Sequence, residues 1–355
     1  MQSQAHVQAQ SHVQSLPVLP APLSPSQHPQ HTRTRPALRL VKTKDMPREE
    51  WLTIRRKGIG SSDAAAAVGL NPYKSALELW MEKTGRDVAL ARDDVDDEST
   101  PAYWGNILEP IVALHYARRS GHRVRRINAV LQHPDPKLDW MLANIDREVI
   151  GSNEVQILEC KTAGINGVRL WKGGVPEYVR IQVMHQLAVT GKQAADVAVL
   201  LGGQNLEIHR IERDEAEIQD LIEKERQFWQ HVVMDTPPPA DGSPSSDRAL
   251  RTLHPEDDGQ RLDFRHDAQL SATFQQLLEV REVIAAQEKR ESTLKQTLQQ
   301  AMGDASFAMF ELGSVSWKKS KDSLGLDIKA LLKDMPKLEQ LYAMVKPGSR
   351  RFLIE

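Results

Sequence analysis

Three acidic residues and one lysine stand at spacings that can bring them together in one site. Asp146 ends an alternating apolar segment, and Glu159-Cys160-Lys161 ends the next one. Side chains two apart on a strand point to the same side, so Glu159 and Lys161 share a face while Cys160 faces the opposite layer. A hairpin between the two segments would bring Asp146 beside them, and Glu109 stands earlier, on a predicted helix.

Such a group predicts metal-assisted hydrolysis. Clustered carboxylates repel one another unless a cation lies between them, and hard oxygen ligands suit Mg²⁺ or Mn²⁺. Cleavage of a phosphodiester needs a metal that binds the phosphate and lowers the pKa of water, with a cation near the attacking oxygen. The alternative is a row of charges on the solvent face of a strand. The apolar pair Ile157-Leu158 directly before Glu159 favours a site at the end of a buried strand.

Capping residues and periodicity predict the elements that must hold this group. Helices are expected over residues 63–68, 76–84, 101–120, 176–190 and 213–233, most of them stopped by a glycine. Strands are expected over 141–146 and 155–161, joined by a turn at 151–153, and over 197–201 and 206–211 as a second hairpin. On the long helix the predicted core face comprises Trp104, Leu108, Ile111, Val112 and His115.

Composition divides the chain into four parts. Residues 1–45 are rich in Gln, His, Ser and Pro and are expected to be a disordered tail. A folded domain is expected over 46–235, a Pro/Ser-rich linker over 236–247, and a mainly helical region over 248–355. That last region is predicted to hold a helix over 267–302, a small hairpin over 307–318 and a short helix over 327–332.

Charge and cysteine content exclude several classes of protein. The 46 Lys and Arg residues against 48 Asp and Glu give a net charge of −2, which excludes a binder held to nucleic acid by bulk positive charge. A nucleic-acid enzyme stays open, because an acidic metal site can balance a basic groove. A single cysteine in 355 residues excludes a disulfide framework, a cysteine-ligated zinc site and an iron–sulfur cluster. A location in the bacterial cytoplasm without membrane insertion is expected.

Beyond these patterns, a series of short motifs resembles a known family. The motifs are RRKGIGSSD at 55–63, GLNPYK at 69–74, LW at 79–80, EKTG at 82–85, GNILEP at 105–110, ANID at 143–146, LECKT at 158–162 and QVMHQ at 182–186. In this order they resemble the YqaJ-type phage recombinases, which are relatives of phage lambda exonuclease in the PD-(D/E)XK nuclease superfamily. The resemblance covers roughly residues 47–235 and implies an α/β fold, a restriction-endonuclease-like core with a central mixed β-sheet flanked by helices.

The resemblance also implies roles for individual residues at the reacting centre. Glu109, Asp146 and Glu159 would be metal ligands, with the carbonyl of Cys160 as a further ligand. Lys161 would position the nucleophilic water. The glutamine that lines the site in lambda-type exonucleases matches Gln182.

A second group is expected to bind DNA. By resemblance, Arg55 and Ser62 hold the 5′-phosphate of a DNA end, and Ser61 stands beside them at a helix start where backbone amides favour an anion. Tyr178 and Gln186 recur at four-residue intervals with Gln182, so they form one polar helix edge that can face the metal site. For the segment at Ser61 and Ser62 the alternative is a plain capped helix. For the polar helix edge the alternative is a solvated surface.

The expected function is a Mg²⁺-dependent exonuclease that acts 5′-to-3′ on linear duplex DNA and leaves 3′ single-stranded tails for recombination with a single-strand annealing protein. The alternatives are a restriction or repair endonuclease of the same superfamily and a DNA-end-binding scaffold without catalysis. The resemblance further implies a homo-oligomer in the form of a trimeric ring. The helix over 267–302 could mediate self-association or belong to an ordinary helical subdomain.

Overall fold

The computed structural model describes residues 36–88, 90, 97–345 and 348–354. They form two compact units, of which the first ends at Ala249 and the second begins at Leu250. The predicted tail lies outside the described residues as far as residue 35. The expectation of disorder is wrong for the last part of this tail, because residues 38–42 form a strand whose backbone pairs with residues 129–132.

The first unit alternates helices and strands. Its helices are α1 (Arg48–Arg55), α2 (Ala64–Ala67), α3 (Ala76–Thr84), α4 (Pro101–Ser120), α5 (Glu177–Thr190) and α6 (Glu215–Val233), and α7 (Pro244–Leu253) crosses its end. Its strands are β1 (Leu38–Lys42), β2 (Ile59–Gly60), β3 (Arg123–Arg126), β4 (Ala129–Gln132), β5 (Met141–Ala143), β6 (Arg147–Ile150), β7 (Ile157–Ala163), β8 (Ala194–Leu201) and β9 (Asn205–Glu212).

A five-stranded mixed sheet in the order β3-β6-β7-β8-β9 forms the centre of this unit. The strands β7 and β8 run parallel and the other neighbours antiparallel. On one face Val112, Ala113 and Tyr116 of α4 pack with Leu158 and other buried residues of the sheet. From the opposite side, α5 reaches Glu159 of β7 with two glutamines. The predicted α/β class, a mixed sheet flanked by helices, is confirmed.

The segment 141–146 differs from its prediction as a single strand. Its first half is β5, which belongs to a four-stranded sheet in the order β1-β4-β5-β2. After a break at residues 144–146 the chain enters β6 of the five-stranded sheet. Asp146 therefore lies where the chain passes from one sheet to the other, since β5 and β6 have different pairing partners. The expected hairpin follows, with Arg147 opposite Leu158.

Most predicted helix boundaries are confirmed, and their caps explain why. The Ser75 side chain accepts a hydrogen bond from the Glu78 amide at the start of α3, and Thr100 does the same for Tyr103 in α4. Gly85 and Gly121 end these helices with a positive φ. The short α2 differs, because it begins after Asp63 without a side-chain hydrogen bond that caps it.

The predicted core face of α4 is wrong for three of its five residues. Trp104 and Ile111 are about half exposed, and His115 is exposed rather than a core histidine. The buried residues are Val112, Ala113 and Tyr116. Periodicity predicts an apolar stripe, but only the tertiary fold decides which part of that stripe lies over the sheet.

The predicted linker ends earlier than expected. Pro244 already begins α7, and Ser245 is buried. Its hydroxyl accepts from the Ser75 amide at 2.8 Å and donates to the Glu78 carboxylate at 2.5 Å. These contacts hold the start of α7 against α3.

The second unit contains α8 (Ala268–Met302), the hairpin of β10 (Phe307–Phe310) and β11 (Gly313–Ser316), and the short helices α9 (Ile328–Asp334) and α10 (Lys337–Tyr342). The long helix, the hairpin and the helix after Asp327 match the sequence prediction. Among the described residues, no helix combines the length and the apolar character needed to cross a membrane.

Candidate active site

The central strand β7 places two charged side chains on one face of the sheet. Glu159 is buried and Lys161 is partly exposed, and their Oε1 and Nζ atoms lie 2.8 Å apart. This agrees with the alternation read from the sequence. Burial alone would lower the pKa of Lys161, but Glu159 and Asp146 raise it above its ordinary value. The lysine is therefore an ammonium at neutral pH and a hydrogen-bond donor.

Two glutamines of α5 fix the orientation of the Glu159 carboxylate. Gln182 donates through Nε2 to Glu159 Oε1 at 2.5 Å and accepts from Lys161 Nζ at 2.9 Å. Gln186 donates to the other oxygen, Glu159 Oε2, at 2.7 Å and to the Asn144 carbonyl at 3.2 Å. Gln186 has no exposed surface. The polar edge of α5 therefore faces the acidic site, and Gln186 contacts Glu159 from within the protein.

Asp146 approaches from the junction between the two sheets. Its Oδ2 accepts a hydrogen bond from the Cys160 amide at 2.8 Å. Burial, and then the nearby Glu159, raise the pKa of Asp146 to about 8. The Cys160 thiol packs against the core cluster under α4, and burial raises its pKa as well. Only the backbone of Cys160 is thus available to the site.

Glu109 reaches the same region from α4 but is held by a neighbour. Its Oε1 accepts a hydrogen bond from the guanidinium of Arg147, the residue after Asp146. Glu109 and Asp146 both line a groove of about 570 Å³. Lys44, Arg126 and Asn128 are further lining residues of this groove.

The chemistry of the donor set fits a hard divalent cation. Glu159 is buried and Asp146 is partly buried, and burial together with the neighbouring Glu159 raises the pKa of Asp146. Carboxylate and carbonyl oxygens are the ligands that Mg²⁺ and Mn²⁺ prefer. Within the described residues, however, no group of three or more acidic, histidine or cysteine side chains already converges on one metal position. Arg147 on Glu109 and Lys161 on Glu159 hold the carboxylates in ion pairs instead.

Two of the predicted phosphate-binding residues, Arg55 and Ser62, meet in the structure, whereas Ser61 is buried. Arg55 donates to the Ser62 hydroxyl at 2.9 Å and to the Asp63 carboxylate, and it stacks on Trp51 with 4.8 Å between its Cζ and the ring centroid. Ser62 is exposed, whereas Ser61 is buried and donates to the Asn144 carbonyl at 3.3 Å. Arg55 and Ser62 can therefore meet a ligand directly, and Ser61 connects this segment to the strand junction.

The Asp63 carboxylate holds the guanidinium of Arg55 in place. It also accepts from Lys83 Nζ at 2.7 Å, and Lys83 donates in addition to the Arg55 carbonyl at 2.9 Å. Burial would raise the pKa of Asp63, but Arg55 and Lys83 hold it well below its usual range. The result is a largely buried triad of one carboxylate and two cations that fixes the guanidinium of Arg55.

A cavity of about 850 Å³ extends from this triad to the end of β7. Arg55 and Lys74 contribute positive charge to its wall, and Thr162 directly follows Lys161. Tyr178 packs edge-on against Tyr73 with 5.9 Å between ring centroids. The cavity thus places cations and aromatic rings next to the acidic site.

Sequence reasoning missed several residues that the structure brings to the site. Trp51 lines both the cavity and the groove, and its position four residues before Arg55 on α1 was an available signal. Arg147 adjoins Asp146 in the sequence, but its pairing with Glu109 depends on the tertiary fold. Asp63 and Lys83 lie within the quoted motifs, yet their ion pair could not be predicted from spacing.

Comparison with known proteins identifies relatives over most of the chain. The family model of the YqaJ-like viral recombinase domain matches residues 50–193. The YqaJ protein of Bacillus subtilis (strain 168) is 35% identical over 323 residues, which cover 89% of this chain and 97% of that protein.

Solved structures that match part of the chain include two exonucleases. An alkaline exonuclease from Laribacter hongkongensis is 21% identical with a TM-score of 0.43, covering 53% of this chain and 93% of its own. A phage-related exonuclease from Haemophilus somnus 129PT is 11% identical with a TM-score of 0.36, covering 50% and 96%. The resemblance read from the motifs is confirmed by the family model and the curated relative. With 35% identity to YqaJ across almost its whole length, the chain belongs to the family of YqaJ-like viral recombinases.

Proposed function

We propose that this protein is a Mg²⁺-dependent exonuclease that digests linear duplex DNA from the 5′ end and leaves 3′ single-stranded tails. One observation carries the proposal. Lys161 pairs with Glu159 at 2.8 Å on one face of β7, while Asp146 is bonded at 2.8 Å to the amide of the intervening Cys160. Two carboxylates and an ammonium grouped around β7 are the groups that phosphodiester hydrolysis requires.

The metal-holding residues in this proposal are Glu109, Asp146, Glu159 and the carbonyl of Cys160. Bound Mg²⁺, or Mn²⁺ in its place, would supply Lewis acidity toward the phosphate and a lower pKa for water. Arg147 neutralises Glu109 in its absence. The protein thereby avoids leaving three carboxylates together without a counter-charge.

Lys161 orients the attacking water and stabilises negative charge at the phosphate. Since its pKa is raised by Glu159 and Asp146, it keeps its proton and acts as a donor rather than as a base. Gln182 holds both members of the pair, at 2.9 Å from Lys161 Nζ and 2.5 Å from Glu159 Oε1. Gln182 is therefore a positioning residue for both groups.

The DNA end is proposed to enter the cavity beside β7. Arg55 and Ser62 bind the 5′-phosphate, because both present donors at the Asp63 anchor. Tyr178, packed on Tyr73, offers an aromatic surface on which a base can stack. Gln186 and Ser61, both buried, support this binding surface indirectly.

The biological partners follow from the same proposal. Membership of a viral recombinase family supports a role in recombination together with a single-strand annealing protein, which would bind the 3′ tails. A ring-shaped trimer of this chain around the duplex would provide processivity. The annealing protein and the DNA are expected to meet this protein in the bacterial cytoplasm.

The decisive experiment uses linear duplexes labelled at either the 5′ or the 3′ end, together with covalently closed circles. The wild-type protein is expected to degrade the linear DNA with release of the 5′ label first and to spare the circles. EDTA should abolish digestion, and added Mg²⁺ should restore it. Lys161→Ala should lower the rate by at least about a hundredfold, consistent with loss of a positioned catalytic group.

Lys224→Ala on the exposed side of α6 is the matched control and should digest DNA at the wild-type rate. Cleavage of closed circles would identify an endonuclease of the same superfamily. DNA binding without Mg²⁺-dependent cleavage would identify a scaffold. Wild-type activity in folded Lys161→Ala would refute the assignment of the site.

A further inference from the structure

The long helix α8 exposes apolar side chains along its first half. At about 1.5 Å per residue its 35 residues span about 52 Å, and none of them is buried within the described part of the chain. Leu270, Phe274 and Ile284 each keep between 43% and 50% of their surface exposed. Most of the stability of a helix in water comes from packing of its apolar face, so this face requires a partner.

One row of residues on α8 follows the spacing of a coiled-coil seam, and six of its ten members are apolar. The row alternates intervals of four and three residues and comprises Leu270, Phe274, Leu277, Arg281, Ile284, Glu288, Glu291, Lys295, Leu298 and Met302, here called the α8 seam. Such a mean interval of 3.5 residues keeps one seam facing a second helix along its length.

The α8 seam is symmetric about Ala286. A second copy of α8 running antiparallel would place Phe274 opposite Leu298 and Leu270 opposite Met302. It would also place Leu277 opposite Lys295 and Ile284 opposite Glu288. The same register places Arg281 opposite Glu291, and two-fold symmetry makes this contact twice.

The contact between Arg281 and Glu291 favours this arrangement over a parallel one. In a parallel pair each seam residue faces its own copy, so Arg281 would face Arg281 and Glu291 would face Glu291. Like charges at facing seam positions oppose pairing, whereas opposite charges set orientation and partner choice. In the single chain Arg281 and Glu291 are both exposed, and Glu291 contacts only Lys295 of its own helix among the described ion pairs, at 2.7 Å.

We propose that α8 binds α8 of a second copy of this chain as an antiparallel coiled coil centred on Ala286. The inference concerns a surface of the second unit and is independent of the proposed nuclease activity. It joins two copies whether each copy is otherwise single or belongs to a ring.

Disulfide trapping in the full-length chain tests the orientation. Phe274→Cys and Leu298→Cys are prepared separately, then mixed under mild oxidation. The antiparallel register predicts a crosslinked species in the mixture and little in either variant alone. Crosslinking of Phe274→Cys with itself would indicate parallel pairing, and absence of any crosslink would indicate that α8 has another partner; both results refute the proposal.

Charge exchange tests the same register by mass. In sedimentation experiments Arg281→Glu and Glu291→Arg should each raise the dissociation constant at least about tenfold and halve the mass of the assembly at micromolar concentration. A mixture of the two variants should restore the wild-type mass, because one variant then contributes two acidic side chains to these contacts and the other contributes two basic ones.

The matched controls lie nine residues away, which is two and a half turns and therefore the opposite side of the helix. Arg290→Glu and Glu282→Arg make the same charge changes there and should keep the wild-type mass. Circular dichroism should show unchanged helix content in all four variants. An assembly whose mass is insensitive to Arg281→Glu, or a wild-type chain that does not self-associate, would overturn the proposal.

Discussion

Gln186 differs from the other residues around the acidic site because it combines complete burial with a direct contact to a carboxylate. Its amide nitrogen donates to Glu159 Oε2 at 2.7 Å, while its Oε1 has no hydrogen-bond partner within the described residues. A buried amide with one unsatisfied atom costs stability. The position of Gln186 next to Glu159 is explained if Gln186 orients the Glu159 carboxylate.

We therefore expect Gln186→Leu, a change of similar volume, to leave the protein folded and to lower kcat about 10- to 100-fold, as is typical when a group that orients a metal ligand is lost. Steady-state digestion of linear duplex DNA at varied Mg²⁺ concentration measures the change. Gln230→Leu on the exposed side of α6 provides the control. Unchanged kcat in folded Gln186→Leu would show that Gln182 alone suffices to hold Glu159.

The second residue-scale prediction concerns the charged triad at Asp63. Asp63→Asn removes the one carboxylate that pairs with both Arg55 and Lys83, and breaking such a group costs about 3–5 kcal/mol. We expect the free energy of unfolding at pH 7 to fall by about that amount. Urea denaturation followed by tryptophan fluorescence measures it.

The pH dependence of this effect has a defined sign. The pKa of Asp63 is lower in the folded than in the unfolded state, where it is about 3.9. Its stabilisation is therefore complete above about pH 4 and declines as the pH falls below that value toward the folded pKa. The difference between wild type and Asp63→Asn should shrink from pH 4 to pH 3; a difference that stays constant would contradict the ion-pair explanation.

At this scale the sequence predicted which side chains share a face better than it predicted which residues contact one another. Alternation along β7 predicted that Glu159 and Lys161 share a face, because strand geometry is local. It did not predict that Arg147 binds Glu109, since α4 and β6 are far apart in the sequence. The burial of Gln186 likewise follows from the packing of α5 and not from the polarity of its helix edge.

At the scale of elements, a buried ion pair joins α5 to α6 directly behind the site. His185 Nδ1 lies 2.7 Å from Glu225 Oε1, and His185 Nε2 lies 2.9 Å from the Leu142 carbonyl. With Glu225 ionised, both neighbours are acceptors, so we expect both ring nitrogens to donate and the imidazole to be protonated. Burial opposes this charge, but Glu225 and the Leu142 carbonyl raise the pKa of His185 above its ordinary value.

This pair predicts a loss of stability with rising pH. Because the pKa of His185 is higher in the folded state, its contribution is complete below the unfolded pKa of about 6.5 and is lost as the pH rises through the folded pKa. The slope can reach about 1.4 kcal/mol per pH unit. Glu225→Gln should remove this dependence between pH 6.5 and 9, as measured by urea unfolding at several pH values.

The control for this prediction is His115→Gln on α4, since His115 is exposed. It should keep the wild-type dependence on pH. If Glu225→Gln and wild type lose stability in parallel, the pair is neutral and the predicted protonation of His185 is wrong.

Element boundaries could be predicted where a local signal exists. Ser75, Thr100 and the glycines after α3 and α4 define helix ends by hydrogen bonding and backbone conformation alone. The division of residues 141–150 into β5 and β6 could not be predicted, because it depends on which strands lie beside each half. Asp146 owes its position to that division.

At the scale of the whole molecule, the fold separates the candidate nuclease from the surface proposed for self-association. The core cluster and all predicted site residues lie before Ala249, whereas the α8 seam lies in the second unit. The net charge of −2 is an average over these parts. It therefore says little about the cavity beside β7, where Arg55 and Lys74 contribute positive charge.

This separation predicts that a chain ending after residue 254 folds and retains the site. It keeps α7, whose Ser245 and Arg248 contact Glu78 of α3. It should unfold cooperatively, digest linear DNA at a rate similar to the full chain, and show no association through α8. Thermal unfolding by circular dichroism, the end-labelled duplex assay and sedimentation measure the three properties.

A second truncation, after residue 243, isolates the contribution of α7. It exposes the Ser75 amide and removes the charged hydrogen bond to Glu78, which contributes about 1.5–3 kcal/mol. For a unit of this size that free energy corresponds to a Tm lower by about 3–10 °C. Since Glu78 lies on α3, next to the elements that position Arg55 and Lys83, the shorter chain should also bind DNA ends less tightly. Equal Tm values for the two truncations would mean that α7 adds nothing to the nuclease unit and that the linker predicted from composition, residues 236–247, is the functional boundary after all.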